Sequence, residues 1–108
     1  MNEPLTFRKF FGDAERDFHL TPELIFELER ITGTGIGGLS RRVFTGDFRH
    51  AELLHVIRLG LIGGGETPEE ANSLIEAYGK PRPIAELVPI ALGILETVMF
   101  GKAKTDGE

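Results

Sequence analysis

The sequence contains no cysteine among its 108 residues. Disulfide bonds, zinc sites built on cysteine and thiol nucleophiles are therefore excluded. Because a chain of this length can bury a modest core without covalent cross-links, we expect a single domain. The lack of cysteine also suits a reducing compartment, and we expect the protein to be cytoplasmic.

Basic residues are few. Twelve Lys and Arg stand against 17 Asp and Glu, which gives a net charge of −5. A general nucleic-acid-binding protein needs a basic face that displaces counterions from phosphate. The doublet Arg41-Arg42 is too short to supply such a face. We therefore expect no nucleic-acid partner.

The sequence also has no long, uninterrupted hydrophobic run. Its most apolar segment, 83–100, contains Glu86, Pro89 and Glu96. A membrane-spanning helix needs about 20 mostly apolar residues, so this segment predicts a buried helix, and we expect no membrane partner. Pro89 would remove one helical hydrogen bond, which predicts a kink.

Residues with catalytic chemistry are scarce and badly spaced. His50 and His55 are five residues apart, whereas the zinc-protease pattern requires histidines at i and i+4. His19 stands alone, and neither Ser40 nor Ser73 lies in a G-x-S-x-G motif. The sequence therefore predicts no catalytic residues, no metal site and no enzymatic activity.

Glycine, by contrast, is abundant, and two segments are rich in it. Gly33 to Gly38 match G-x-G-x-x-G by letter, but the dinucleotide fingerprint needs a preceding strand. Here a helix is predicted before the motif. Gly63-Gly64-Gly65 lacks the Lys-Ser or Lys-Thr of a P-loop. A nucleotide-binding enzyme using these segments is a remote alternative, and we expect no cofactor.

The hydrophobic pattern predicts an α+β domain that is mainly α. Partial alternation from Leu5 to Leu20, with turn residues at Gly12-Asp13, indicates a β-hairpin. About five helices follow in one compact domain, which we place at 1–101. The segment 102–108 lacks an apolar anchor and is predicted to be a disordered tail.

Two helix starts share the sequence Thr-Pro-Glu. Thr21 and Thr67 can each cap the orphan N–H groups of a helix, with proline at the first helical position. Gly33 is predicted to end the first of these helices, and 34–38 are predicted to form a glycine-rich connection. A short helix ending at Gly46 follows.

The central helix is predicted over 49–62 and ends in Gly60-Leu61-Ile62-Gly63-Gly64-Gly65. Gly60 lies on its apolar side, so we expect it to permit close approach by a neighbouring helix. Gly63, Gly64 and Gly65 are predicted to form a structural joint that leads to Thr67.

Three apolar side chains fall on helix faces that are otherwise polar. Phe26 lies among Glu23, Glu27 and Arg30, and Leu59 and Ile62 interrupt the polar side of the central helix. We consider Phe26, Leu59 and Ile62 candidate contacts to a partner. A single exposed apolar residue is common, however, and the same face of the central helix could also meet the hairpin or another subunit.

The sequence resembles the gene transfer agent protein family, which belongs with the small tail-assembly proteins of tailed phages and of phage-like particles of alphaproteobacteria. The resemblance covers the chain from about Phe7 to Gly101 and rests on the order of four pieces. These pieces are Leu20-Thr21-Pro22-Glu23-Leu24 with Leu28-Glu29, Leu53-Leu54-His55-Val56-Ile57-Arg58-Leu59-Gly60-Leu61-Ile62-Gly63-Gly64-Gly65, Glu70-Ala71, and Arg82-Pro83-Ile84 with Ala91, Ile94-Leu95 and Phe100-Gly101.

The resemblance implies a non-enzymatic role in tail morphogenesis inside a bacterial host. Members of this group are either tail-assembly chaperones, which coat the helical tape-measure protein, or components of the tail tube. The helical pattern favours a chaperone whose apolar grooves bind the tape-measure protein or another tail protein. A structural tube or connector subunit is the alternative, and self-association is open in both cases.

Overall fold

The chain forms a two-stranded antiparallel hairpin followed by five α-helices. The structure is a computed structural model and describes residues 6–102. The elements are β1 (Phe7–Phe11), β2 (Ala14–Phe18), α1 (Pro22–Thr32), α2 (Ile36–Phe44), α3 (His50–Gly63), α4 (Pro68–Leu74), a π-helical turn (Ile75–Gly79) and α5 (Ile84–Phe100). This order confirms the predicted α+β fold that is mainly helical. The predicted tail lies, apart from Lys102, outside the described residues.

The two predicted helix starts are confirmed in atomic detail. The Thr21 hydroxyl accepts a hydrogen bond from the Leu24 amide at 3.2 Å, and the Thr67 hydroxyl accepts one from the Glu70 amide at 3.1 Å. Gly33 ends α1 with a φ of 72°, the left-handed conformation that glycine adopts at little cost.

The glycine-rich connection is shorter than predicted. Helix α2 begins at Ile36, so Gly37 and Gly38 are helical rather than part of a loop. The Glu29 carboxylate accepts a hydrogen bond from the Ile36 amide at 2.8 Å, which satisfies one donor at the start of α2. Leu39 and Val43 are buried, and their packing outweighs the weak helix propensity of glycine.

Helix α3 lies at the centre of the molecule and packs against α1, α4, α5 and the hairpin. Its buried side chains include Leu53, Val56, Ile57 and Leu61. They form one continuous core with the buried face of α5 and with aromatic rings of the hairpin. The core is therefore shared by every layer of the fold.

The hairpin lies on the helices through its phenylalanine rings. β1 and β2 pair in register from Phe7 opposite Phe18 to Phe11 opposite Ala14, around a turn at Gly12-Asp13. Phe7, Phe11 and Phe18 are each at most 4 % exposed, and their ring centroids lie 6.2–6.3 Å apart from Phe7 to Phe18 and from Phe11 to Phe18. An isolated hairpin is marginal in water, and this one is held by the helical layer.

Candidate protein-binding surfaces

The glycine segment at the end of α3 is a seat for the hairpin. A Cβ atom on Gly63 would lie 1.8 Å from the carbonyl oxygen of His19, and a Cβ on Gly64 would lie 1.8 Å from that of Asp17. The His19 amide donates a hydrogen bond to the Gly60 carbonyl at 3.0 Å. Gly63 and Gly64 are thus tight backbone contacts rather than loose chain. We call 60–64 the hairpin seat.

The other two predicted roles in this segment concern Gly60 and Gly65. A Cβ on Gly60 would lie 3.0 Å from Cδ1 of Ile94 on α5 and 3.3 Å from the Phe18 ring. A helix therefore approaches α3 closely at Gly60, as predicted, and the hairpin approaches it there as well. Gly65 has a φ of 126°, a conformation that other residues rarely adopt. The change of direction toward Thr67 is therefore made at Gly65.

The three candidate partner contacts have different environments. Phe26 is 68 % exposed on α1. Leu59 is 2 % exposed and belongs to the core of the same chain, because α3 is covered on that side by other elements of the fold. Ile62 is partly buried and packs against the core. Among these three, Phe26 is the side chain that the fold leaves open to a partner.

A pair of aromatic rings forms a second apolar surface, which the sequence did not single out. Phe44 at the end of α2 and Phe100 at the end of α5 are 37 % and 54 % exposed. Their rings stack with centroids 6.2 Å apart and an interplanar angle of 27°. We call them the aromatic pair. Phe44 and Phe100 are 56 residues apart in the sequence (100 − 44), and no sequence pattern predicts that their rings meet.

A cleft of about 240 Å³ lies between α3 and the segment formed by α4 and the π-helical turn. Its lining is Ala51, Leu54, His55, Arg58, Asn72, Ile75, Glu76 and Lys80. We call it the α3–α4 cleft.

The cleft has a basic rim. The Arg58 guanidinium lies 3.2 Å from Nδ1 of His55, and burial together with the nearby Arg58 charge lowers the pKa of His55. Lys80 pairs with Glu76 at 2.6 Å. Within residues 6–102, no carboxylate lies within ion-pair distance of Arg58. The Arg58 charge does act at longer range on Glu27 of α1, whose pKa it helps to lower.

A buried carboxylate joins α2 to α3. Glu52 is 2 % exposed and accepts two hydrogen bonds from Arg42, at 3.0 and 2.8 Å, and one from the Arg49 amide at 2.9 Å. The hydrogen bonds from Arg42 hold the pKa of Glu52 below its ordinary value of 4.5. By helical spacing alone Glu52 falls on a polar face, and its distance along the chain from Arg42 gives no sign of the contact. Its role here is structural.

The glycine motif at Gly33 to Gly38 connects two helices. Gly33 ends α1 and Gly37 lies within α2, so the strand that a dinucleotide fingerprint needs does not precede the motif. In the part of the chain that the structure describes, no group of three or more His, Asp or Glu side chains is arranged to hold a metal ion. Over the same residues, no helix has the length and apolarity that crossing a membrane requires.

These features define a small, mainly helical domain that displays exposed aromatic side chains. Residues 6–101 match the model of a family described as "Phage tail tube protein, GTA-gp10". The chain therefore belongs to this family of phage and gene transfer agent tail proteins. Neither the curated proteins nor the solved structures contain a match to it.

Proposed function

We propose that this protein is a tail-assembly chaperone, and that the aromatic pair binds an amphipathic helix of the tape-measure protein in the cytoplasm of the host. The observation that carries the proposal is the exposure of Phe44 and Phe100 side by side at the ends of two different helices. Aromatic side chains are enriched among the residues that dominate protein–protein binding.

The apolar character of the surface suits an amphipathic helical partner. An amphipathic helix binds by inserting apolar residues, one turn apart, into an apolar groove between helices. The aromatic pair bridges the ends of α2 and α5, and Met99, next to Phe100, is 41 % exposed as well. A tape-measure protein is a long helical protein, so it offers such faces repeatedly along its length.

A tail tube subunit is the second candidate, and the description of the family favours it. A tube subunit must continue its structure into its neighbours, commonly through sheets. Here, within residues 6–102, the single sheet has two strands, and the end of β2 at Asp17 lies against the hairpin seat. This fold supports the chaperone more directly than the tube.

The test is co-expression with the tape-measure protein encoded in the same gene cluster. We expect the wild-type protein to co-purify with it, and the double variant Phe44→Ser/Phe100→Ser to lose at least about tenfold in affinity, since hot-spot aromatics contribute about 2 kcal/mol or more. Phe10→Ser is the matched control, because Phe10 is 56 % exposed on the hairpin. It should bind like the wild type.

Particle composition separates the two candidates. Quantitative mass spectrometry of purified particles should find the protein absent or far below the level of the tube subunits. Stoichiometric amounts in finished tails would contradict the chaperone proposal and support the tube subunit.

A further inference from the structure

We propose that Phe26 of one copy inserts into the α3–α4 cleft of a second copy, with Glu23 beside it facing Arg58. The protein would thus self-associate through a side chain and a cleft that every copy carries. This inference does not depend on whether the protein is a chaperone or a tube subunit.

Phe26 is the most exposed large hydrophobic side chain among the described residues. It is 68 % exposed, in the second turn of α1, and its surface neighbours on that helix include Glu23, Glu27 and Arg30. Glu23 lies one turn before it and is exposed. Glu27 follows it and pairs with Arg30. Phe26 is thus an apolar side chain next to a negative charge that has no ion pair within residues 6–102.

The α3–α4 cleft offers the complementary surface. Leu54 and Ile75 contribute apolar side chains from opposite sides, and Ala51 adds a small one. Its volume of about 240 Å³ is below the roughly 300–1,000 Å³ of sites for drug-sized ligands. The cleft is therefore suited to a single large side chain rather than to a nucleotide.

The charges of the two surfaces also match. Arg58 at the rim contacts His55, which carries no negative charge, and the Glu27 carboxylate of the same copy is near enough for the Arg58 charge to help lower its pKa but is not within ion-pair distance. An incoming carboxylate would form the close ion pair that Arg58 lacks within residues 6–102. Glu23 lies one helical turn from Phe26 on the same face of α1, so its carboxylate is a neighbour of the Phe26 side chain. The chain as a whole carries a net charge of −5, so its overall charge gives two copies no attraction for each other. The electrostatic attraction therefore depends on a local basic feature such as this rim.

The absence of cysteine makes the contact directly testable by disulfide formation. Phe26→Cys and Asn72→Cys are prepared as separate full-length variants, since Asn72 is exposed at the edge of the cleft. A disulfide requires Cα atoms within about 7 Å. After mixing under mild oxidation, we expect the mixed disulfide dimer, with one copy of each variant, to form at least about fivefold faster than either variant dimerises alone.

The matched control pairs Phe10→Cys with Asn72→Cys. Phe10 is exposed to a similar degree but lies on β1, away from α1. If this pair cross-links as fast as the proposed pair, the contact is non-specific collision and the proposal is wrong. Circular dichroism of each variant before mixing confirms that it is folded.

Charge exchange provides a second measurement that does not use cysteine. Sedimentation equilibrium of the wild-type protein up to about 1 mM should show self-association, and Glu23→Arg or Arg58→Glu alone should weaken it at least about threefold. The double variant should recover it, because the pair is restored with opposite signs. A wild-type protein that stays monomeric over this range, or a double variant weaker than both single ones, overturns the proposal.

Discussion

At the scale of single residues, the buried carboxylate of Glu52 is the most informative side chain. Removing a charge from water costs several kcal/mol, and here four hydrogen bonds from Arg42 and Arg49 offset that cost. The arrangement fixes the angle at which α2 meets α3, since Arg42 and Glu52 stand on different helices. Loss of either partner would leave the other charge without its main hydrogen-bond partner.

We expect Glu52→Gln to lower the free energy of unfolding by about 2 kcal/mol at pH 7, because the charge-assisted bonds from Arg42 become neutral ones. Chemical denaturation followed by circular dichroism measures the change. Glu76→Gln is the control: its ion pair with Lys80 is exposed, and such pairs contribute about 0–1 kcal/mol. Equal effects of the two variants would show that the burial of Glu52 does not matter.

The same residue gives a pH dependence with a definite sign. The pKa of Glu52 is lowered in the folded state, so its contribution is complete above the ordinary value of 4.5 and is lost as pH falls through the folded pKa. The difference between the wild type and Glu52→Gln should therefore be constant from pH 7 to about 5 and shrink below 4.5. A difference that grows on acidification would contradict this.

The helix ends could be predicted from the local sequence, whereas side-chain pairs that are distant in the sequence could not. Thr21, Thr67 and Gly33 act within three or four positions of themselves, so their roles follow from local sequence. The contact of Arg42 with Glu52 depends on how the turn between α2 and α3 orients the two helices. Hydrophobic spacing describes each helix alone and says nothing about that orientation.

At the scale of elements, the attachment of the hairpin to the helices depends on glycines that admit close packing. In addition to Gly63 and Gly64, a Cβ on Gly93 of α5 would lie 2.1 Å from the Phe7 ring, and one on Gly12 would lie 2.6 Å from the Tyr78 ring. Close approach at Gly60 was predictable from its place on the apolar side of α3. The approach of backbone to backbone at Gly63 and Gly64 was not, because glycine runs equally suggest a loose joint.

Gly63→Ala should destabilise the protein by about 3 kcal/mol, since overpacking forces the backbone at His19, just after β2, to move. Gly37→Ala is the matched control within a helix: nothing lies within 4 Å of its Cβ position. That variant should gain about 0.5–1 kcal/mol from helix propensity. Urea denaturation measures both, and a Gly63→Ala protein as stable as Gly37→Ala would mean that the hairpin seat is not tight.

The π-helical turn is another feature that sequence periodicity missed. The helix predicted to start at Thr67 consists of α4 followed by the turn at Ile75–Gly79, in which the Lys80 amide donates to the Ile75 carbonyl at 2.9 Å. The wider turn places Tyr78 against Gly12 and the Phe11 ring. The π-helical turn thus departs from α-helical geometry where it contacts the hairpin, which lies much earlier in the chain.

At the scale of the whole molecule, the continuous core predicts that the hairpin and helices unfold together. Tyr78 is the single tyrosine in a chain without tryptophan, and it contacts the hairpin, so its fluorescence reports on hairpin docking. Circular dichroism reports on the helices. We expect both signals to give one urea midpoint, as in a two-state transition. Fluorescence that changes at lower urea would show that the hairpin separates first.

The close contacts between glycines of the helices and the hairpin segment also restrict how the sequence can vary. At Gly93 the opposing atoms belong to the Phe7 side chain, so a larger residue at 93 could be accommodated by a smaller one at 7. At Gly63 and Gly64 the opposing atoms are the carbonyl oxygens of His19 and Asp17, which every amino acid carries. No substitution at 17 or 19 can make room there. Suppressor mutations of a Gly93 variant should therefore be found at Phe7, whereas Gly63 and Gly64 have no such partner position.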